Sequence, residues 1–309
     1  MMIIVFLGTP DFAVKPLEAI LNSKHEVVAV VTQPDKPVGR KAIITECAVK
    51  SFAKSRGVAT LSYNNIRVEG VTDLKALKPD IMVTCAYGQI LSREILDIAP
   101  KGIINIHASL LPKYRGAAPI QWAVINGDDE TGVTIMQTEE GVDTGDIISV
   151  KTTKISKTET AGELFDRLSI LGAELIVETL DKLENGTATK TKQNEDLATH
   201  VKMLKKEDGL IDFTKSATEI VNLTRGLNPW PVAFTYLNGK TLKIYSCEEV
   251  EFSGIAGEVL VCDVNNGIIV ACGKNAIKIN ELQLEGGKKM TARDFTVGRK
   301  IPVHERLGL

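Results

Sequence analysis

The sequence predicts an α/β protein in two parts, a doubly wound parallel-sheet domain followed by a small antiparallel β-barrel, and three observations carry that prediction. Short runs rich in Val and Ile alternate with helical patterns over roughly the first two thirds of the 309 residues. Several of those runs are uninterrupted rather than alternating, which marks strands buried on both faces of a parallel sheet. Beyond a polar stretch, Asn-Gly pairs sit between alternating runs, the strongest short-range signal for hairpins.

In chain order, Ile3 to Leu7, Val27 to Thr32, Ile81 to Thr84, Gly102 to Ile106 and Val133 to Gln137 read as strands. Helices are expected from Phe12 to Leu21, Cys47 to Arg56, Val71 to Leu77, Arg93 to Ile98 and Ala118 to Ile125, with a longer amphipathic one from Ala161 to Leu183. That alternation is the pattern of a doubly wound domain, bounded at residues 1–188. From Asn185 the chain turns polar and loses its periodicity, so residues 189–206 read as a linker and 207–309 as the second domain. Ser216 opens a helix through Leu223, with Glu219 placed for a capping box. Asn238-Gly239 and Asn266-Gly267 then mark two hairpins of the barrel.

A hydrophobic content of 44% and a charged content of 25% are those of a soluble globular chain. No apolar stretch approaches the roughly 18 residues of a membrane span. The start, "MMIIVFLGTPDF", lacks the basic residues and cleavage site of a secretory signal, so a cytoplasmic protein without a membrane partner is expected. Cys47, Cys85, Cys247, Cys262 and Cys272 form no C-x-x-C pair, which suggests neither zinc nor a disulfide framework; no metal is expected. Residues 201–309 hold 15 Lys/Arg against 13 Asp/Glu, leaving 22 against 26 for residues 1–200. So mild a slope does not by itself indicate a nucleic-acid partner.

"FLGTPDFA" follows the first strand, yet it is no dinucleotide fingerprint. Gly8 stands alone there, and Pro10 removes a donor from a loop that would have to cradle a pyrophosphate. The chemistry lies in "INIHASLLPKYRG" instead. Asn105 and His107 are two residues apart at the end of a strand, so both point to one side, where an open sheet binds its ligands. A second loop, "TEEGVDTGD", offers Glu139, Glu140, Asp143 and Asp146, and a third, "CAYGQIL", follows Ile81 to Thr84. Amide, imidazole and carboxylate without a nucleophilic Ser or Cys suit a reaction whose nucleophile belongs to the substrate. The amide and imidazole donate to an oxygen that becomes negative, and the carboxylate fixes the imidazole and helps take a proton. The residues alone therefore indicate a transferase or hydrolase acting at a carbonyl.

Asn105-x-His107, the "SLLPKYRG" after it and an Asp 36 residues beyond the His resemble the signature of the 10-formyltetrahydrofolate-dependent formyltransferases. "FLGTPDFAV", "VVTQPDKPVGR", "HASLLPKYRGAAPI", "GVTIMQTEEGVDTGDI" and "RGLNPWPVAF" extend that resemblance nearly end to end. It implies a Rossmann-like domain with an OB-like barrel behind it, the second domain contacting tRNA. It further implies transfer of a formyl group from 10-formyltetrahydrofolate to the α-amino group of a charged initiator tRNA, Met-tRNA, by a monomer. Carried over residue by residue, Asn105, His107 and Asp143 are catalytic. Ser109, Leu110, Leu111 and Pro112, with Tyr87, Gly88, Gln89, Ile90 and Leu91, border the folate. Arg40 and Lys41 face the tRNA acceptor end. After Arg40 the chain reads "KAIITECAVK", in place of the further lysines and prolines usual in such proteins. Rival readings are a formyltransferase acting on an amino sugar nucleotide, a formyl hydrolase, and a non-catalytic RNA-binding module. For the last, the interleaved acids make the C-terminal lysines a solvated face.

Overall fold

A computed structural model of the chain describes residues 1–39 and 42–308. Its contacts group the chain into two units, one of Met1–Gly116, Thr131–Thr153 and Phe165–Val201, the other of Ala117–Glu130, Lys154–Leu164 and Lys202–Leu309.

In the first unit the strands are β1 (Ile3–Gly8), β2 (Glu26–Thr32), β3 (Lys36–Val38), β4 (Ile43–Thr45), β5 (Thr60–Ser62), β6 (Ile81–Cys85), β7 (Ile103–His107), β8 (Arg115–Gly116), β9 (Glu130–Gln137), β10 (Ile147–Lys154) and β11 (His200–Val201). Seven of them form one sheet in the order β10-β9-β7-β6-β1-β2-β5. From β5 to β7 every pairing is parallel. Val5, Leu7, Ala29, Val31, Met82 and Ile103 pack on one face with Ile66, Leu74 and Ile95. The alternate residues Ile4, Phe6, Val30, Ile81, Val83 and Ile104 are buried on the other face. Both sides are covered, as the uninterrupted runs require, and each of the larger side chains contributes roughly 1.5–3 kcal/mol.

The expected strand at 133–137 departs from that pattern, because β9 runs antiparallel to β7, with Ile104 opposite Gln137 and His107 opposite Thr134. A strand buried on both faces reads the same in either direction, so its sequence carries no sign of orientation. Residues 189–206 are likewise not a free connection. Within them β11 pairs with β8 in parallel.

The helices are α1 (Val14–Leu21), α2 (Ala48–Ser55), α3 (Ile66–Glu69), α4 (Val71–Ala76), α5 (Arg93–Leu96), α6 (Pro119–Ile125), α7 (Ala161–Glu184), α8 (Ala217–Gly226) and α9 (Ala292–Gly298). α7 lies close on the strand that ends at His107. A Cβ built on Gly172 would stand 3.1 Å from Ile106 Cγ2, so glycine allows that approach. Among the described residues no helix is long and apolar enough to cross a membrane.

In the second unit α8 begins at Ser216, whose hydroxyl accepts from Glu219 N while the Glu219 carboxylate accepts from Ser216 N, completing the expected capping box. The strands β12 (Ala233–Leu237), β13 (Lys240–Val250), β14 (Val259–Asp263), β15 (Gly267–Ala271), β16 (Ala276–Leu284) and β17 (Met290–Thr291) follow. They form an antiparallel sheet in the order β12-β13-β16-β15-β14, with β17 on β16. Both Asn-Gly pairs turn hairpins there, β12 to β13 and β14 to β15. Among the described residues the order is an open path ended by β12 and β14, so the expected barrel is described as a sheet.

Candidate functional site

β6 and β7 lie side by side with Thr84 opposite Asn105, and this register fixes the asparagine. The Thr84 hydroxyl donates to Asn105 Oδ1 at 2.9 Å. With its oxygen engaged, the amide turns its N–H groups away from Thr84 as donors. His107, two residues on and on the same side of the strand, is buried. Its Nε2 stands 2.9 Å from Tyr114 O. A carbonyl only accepts, so Nε2 carries the hydrogen and Nδ1 is the atom free to take a proton. Asp143 Oδ2 lies 3.6 Å from that Nδ1. A proton arriving on Nδ1 would be held by the carboxylate.

Asp143 arrives from an unexpected direction. Because β9 is antiparallel, its loop leaves the sheet beside the start of β7, where Thr138 N donates to Ile103 O at 2.7 Å. The chain then doubles back, and Gly116 N donates to Asp143 Oδ2 at 2.8 Å. Both Gly116, at φ +102°, and Asp143, at φ +55°, are left-handed. A Cβ on Gly116 would stand 2.5 Å from Val201 O, so only glycine can present that N–H here. Of the four acids in the loop, Asp143 is the one beside His107. Glu139 and Glu140 line a cleft of about 620 Å³ formed with segments from Arg93 to Gly102 and with Lys190.

The residues expected at the folate divide into two settings. Ser109 Oγ donates to Lys113 O at 2.6 Å, and Leu111 N donates to the buried Thr134 hydroxyl, so the turn after β7 is closed on itself and pinned to β9. Leu110 is half-buried and Leu111 buried. In the other loop Tyr87 and Leu91 are buried, while Gly88 and Ile90 are exposed. Gln89 donates to Tyr63 O and accepts from Ile66 N, tying the loop to the first unit. The Tyr87 hydroxyl is buried without a hydrogen-bond partner, and burial pushes its pKa up. Neither loop lines the cleft. Arg40 and Lys41 lie outside the described residues; β3 and β4, which flank them in the sequence, pair antiparallel.

Sequence reasoning does not single out Thr84, Gly116 or Gln193; Gln193 Nε2 donates to the backbone oxygens of Asp143 and Gly145 at 2.8 Å. Thr84 and Gly116 are within its reach, the first as a polar end to an apolar strand and the second as a glycine after a strand-end turn. Gln193 sits in a polar stretch with no signal to distinguish it.

Comparison with known proteins gives the family. The formyl transferase family matches residues 1–180, and the formyl transferase C-terminal domain matches residues 203–300. A methionyl-tRNA formyltransferase of Agathobacter rectalis is 50% identical over 96% of this chain and 96% of its own. One from Geobacter metallireducens is 47% identical over 99% of this chain and 98% of its own. Among solved structures, an N-formyltransferase from Helicobacter canadensis in complex with folinic acid and dTDP-3-aminofucose has a TM-score of 0.68 at 21% identity, covering 90% of this chain and 99% of its own. That likeness is one of fold. With both domain families matched and close relatives aligned end to end, the chain belongs to the formyl transferase family.

Proposed function

We propose that this protein transfers the formyl group of 10-formyltetrahydrofolate to the α-amino group of methionyl initiator tRNA, in the cytoplasm and as a monomer. The observation that carries the reading is the 47% identity, over 99% of the chain, to a relative named methionyl-tRNA formyltransferase. The arrangement of Asn105, His107 and Asp143 supports it with chemistry that requires no enzyme nucleophile.

The α-amine attacks the formyl carbon while its nitrogen loses a proton, and the bond from that carbon to N10 of the folate breaks. Asn105 donates to the oxygen that becomes negative. His107 takes the amine proton at Nδ1 and returns it to the departing N10, and Asp143 stabilises the imidazolium in between. A donor aimed at a developing oxyanion is worth roughly 10²–10³ in rate. Catalysis is assigned to residues 1–188 and tRNA contact to residues 207–309, with 189–206 joining them. Ser109 to Pro112 and Tyr87 to Leu91 are assigned to the folate, whose flat ring needs apolar faces such as Leu110, Leu111, Ile90 and Leu91 offer. Arg40 and Lys41 are assigned to the acceptor end.

Purified protein offered the formyl donor with charged initiator tRNA, an amino sugar nucleotide or water alone decides the matter. Formylation of the tRNA is expected. Preference for the sugar nucleotide would move the chain to that branch of the family, and release of formate without transfer would make it a hydrolase.

A further inference from the structure

We propose that Arg115, Gln193 and Glu195 form a brace that positions Asp143 for the transfer step; the proposal rests on the reading of Asp143 as the carboxylate that serves His107.

Asp143 is a non-glycine residue in the left-handed region, a conformation that Asp tolerates and that its surroundings here hold in place. The contacts that hold it come from the polar segment that precedes β11. Gln193 Nε2 donates to Asp143 O and to Gly145 O, each at 2.8 Å. Its Oε1 accepts from Arg115 Nε at 3.1 Å and Nη2 at 2.9 Å. A guanidinium can only donate, so Arg115 fixes which end of the Gln193 amide faces the loop. Arg115 itself is only 2% exposed, and a buried charge needs a partner. Glu195 supplies it as a fork, Oε2 to Nη1 at 2.8 Å and Oε1 to Nη2 at 2.7 Å.

The brace closes on the same stretch that holds the rest of the site. Residues 114 to 116 give His107 its carbonyl acceptor and Asp143 its N–H donor. Tyr114 N donates to Thr199 Oγ1, and Arg115 N to Thr199 O, each at 2.8 Å, so the 193–201 segment is stitched to that stretch along its length. Gln193 thus fixes the Asp143 backbone while Gly116 fixes its carboxylate. With Gln193 gone, the loop keeps its anchor at the carboxylate and loses the one at the carbonyls, and the distance to His107 Nδ1 is no longer held.

Two substitutions at Gln193 test this without emptying the buried Arg115 site. Gln193→Ala removes the donors. Gln193→Glu still pairs with Arg115 but turns acceptor oxygens toward two carbonyls. Both variants should melt near the parent temperature and keep KM for folate and tRNA within about twofold, while kcat falls by about 10- to 100-fold, the scale for a partner that orients a catalytic group. In an Asp143→Asn background the same changes should cost less than about threefold, because residues acting as one unit are not additive. Unchanged kcat in both Gln193 variants would overturn the proposal, as would an equal loss in the two backgrounds. If Asp143→Asn itself turns over like the parent, it is the catalytic reading that has failed, and the brace falls with it for that separate reason.

Discussion

At Asn105 the orientation of the amide assigned to the oxyanion rests on one hydroxyl, and at His107 the tautomer rests on one carbonyl. Each arrangement has a measurable consequence. Asn105→Ala and His107→Ala should each lower turnover by about 10²–10³ with folate affinity little changed, since each removes a group assigned to the transition state. Thr84→Val leaves the amide in place and removes only its guide. A neutral hydrogen bond is worth roughly 0.5–1.5 kcal/mol, so turnover should fall by about 2- to 10-fold. Parent-like rates in Asn105→Ala would end the oxyanion role. A Thr84→Val loss as deep as that of Asn105→Ala would show the hydroxyl to be a reactant rather than a guide. Of these residues Asn105 and His107 were legible in the sequence, because period-two spacing at a strand end is a local signal. Gln193 was not, because its partners lie 48 and 78 residues away and nothing near it in the chain reports them.

Elements were legible in proportion to how local their cause is. The α8 cap and the two Asn-Gly hairpins are written within a few residues, and they formed where expected. The direction of β9 is decided by what it packs beside, which its apolar run does not encode. β10 is not legible in the sequence because its residues are half-buried or exposed, without an apolar face to mark it. The β3–β4 hairpin is not legible for a related reason: Ile43 and Ile44 are exposed at 61% and 72%, so no core fixes their spacing. Between the hairpin's two strands in the sequence stands Arg40, the residue assigned to the tRNA. Arg40→Ala should weaken use of charged tRNA by about 1–3 kcal/mol, the scale of one good bidentate contact, and leave folate affinity intact. Comparing tRNA with a small amine acceptor checks it. An equal loss with both would place Arg40 in the support of the site and end the recognition role.

Across the first unit the chain start is tied to a distant helix by a compact network of charge. His25, just before β2, accepts from Met2 N through Nδ1 at 3.3 Å, and its Nε2 stands 3.3 Å from Asp181 near the end of α7. Lys24 bridges Asp181 at 2.9 Å and Glu184 at 2.8 Å, and the chain-terminal amine also pairs with Glu184. Burial lowers the His25 pKa from its ordinary 6.5, with Lys24 and the terminal amine acting in the same sense and Asp181 opposing. The folded state therefore binds fewer protons at this site than the unfolded chain does. Its contribution to stability is fully present above pH 6.5 and is lost as the pH falls from there through the native value. Asp181 titrates in a separate window. Its hydrogen bond from Lys24 holds it below its ordinary 3.8, so its contribution is present above that pH and fades only in stronger acid. Denaturation midpoints measured from pH 8 down to pH 5 should fall for the parent. His25→Gln, which cannot take a proton, should have a flatter profile over that range and keep the acid limb. A parent and a variant falling in parallel between pH 7 and pH 5 would assign the slope to groups other than His25.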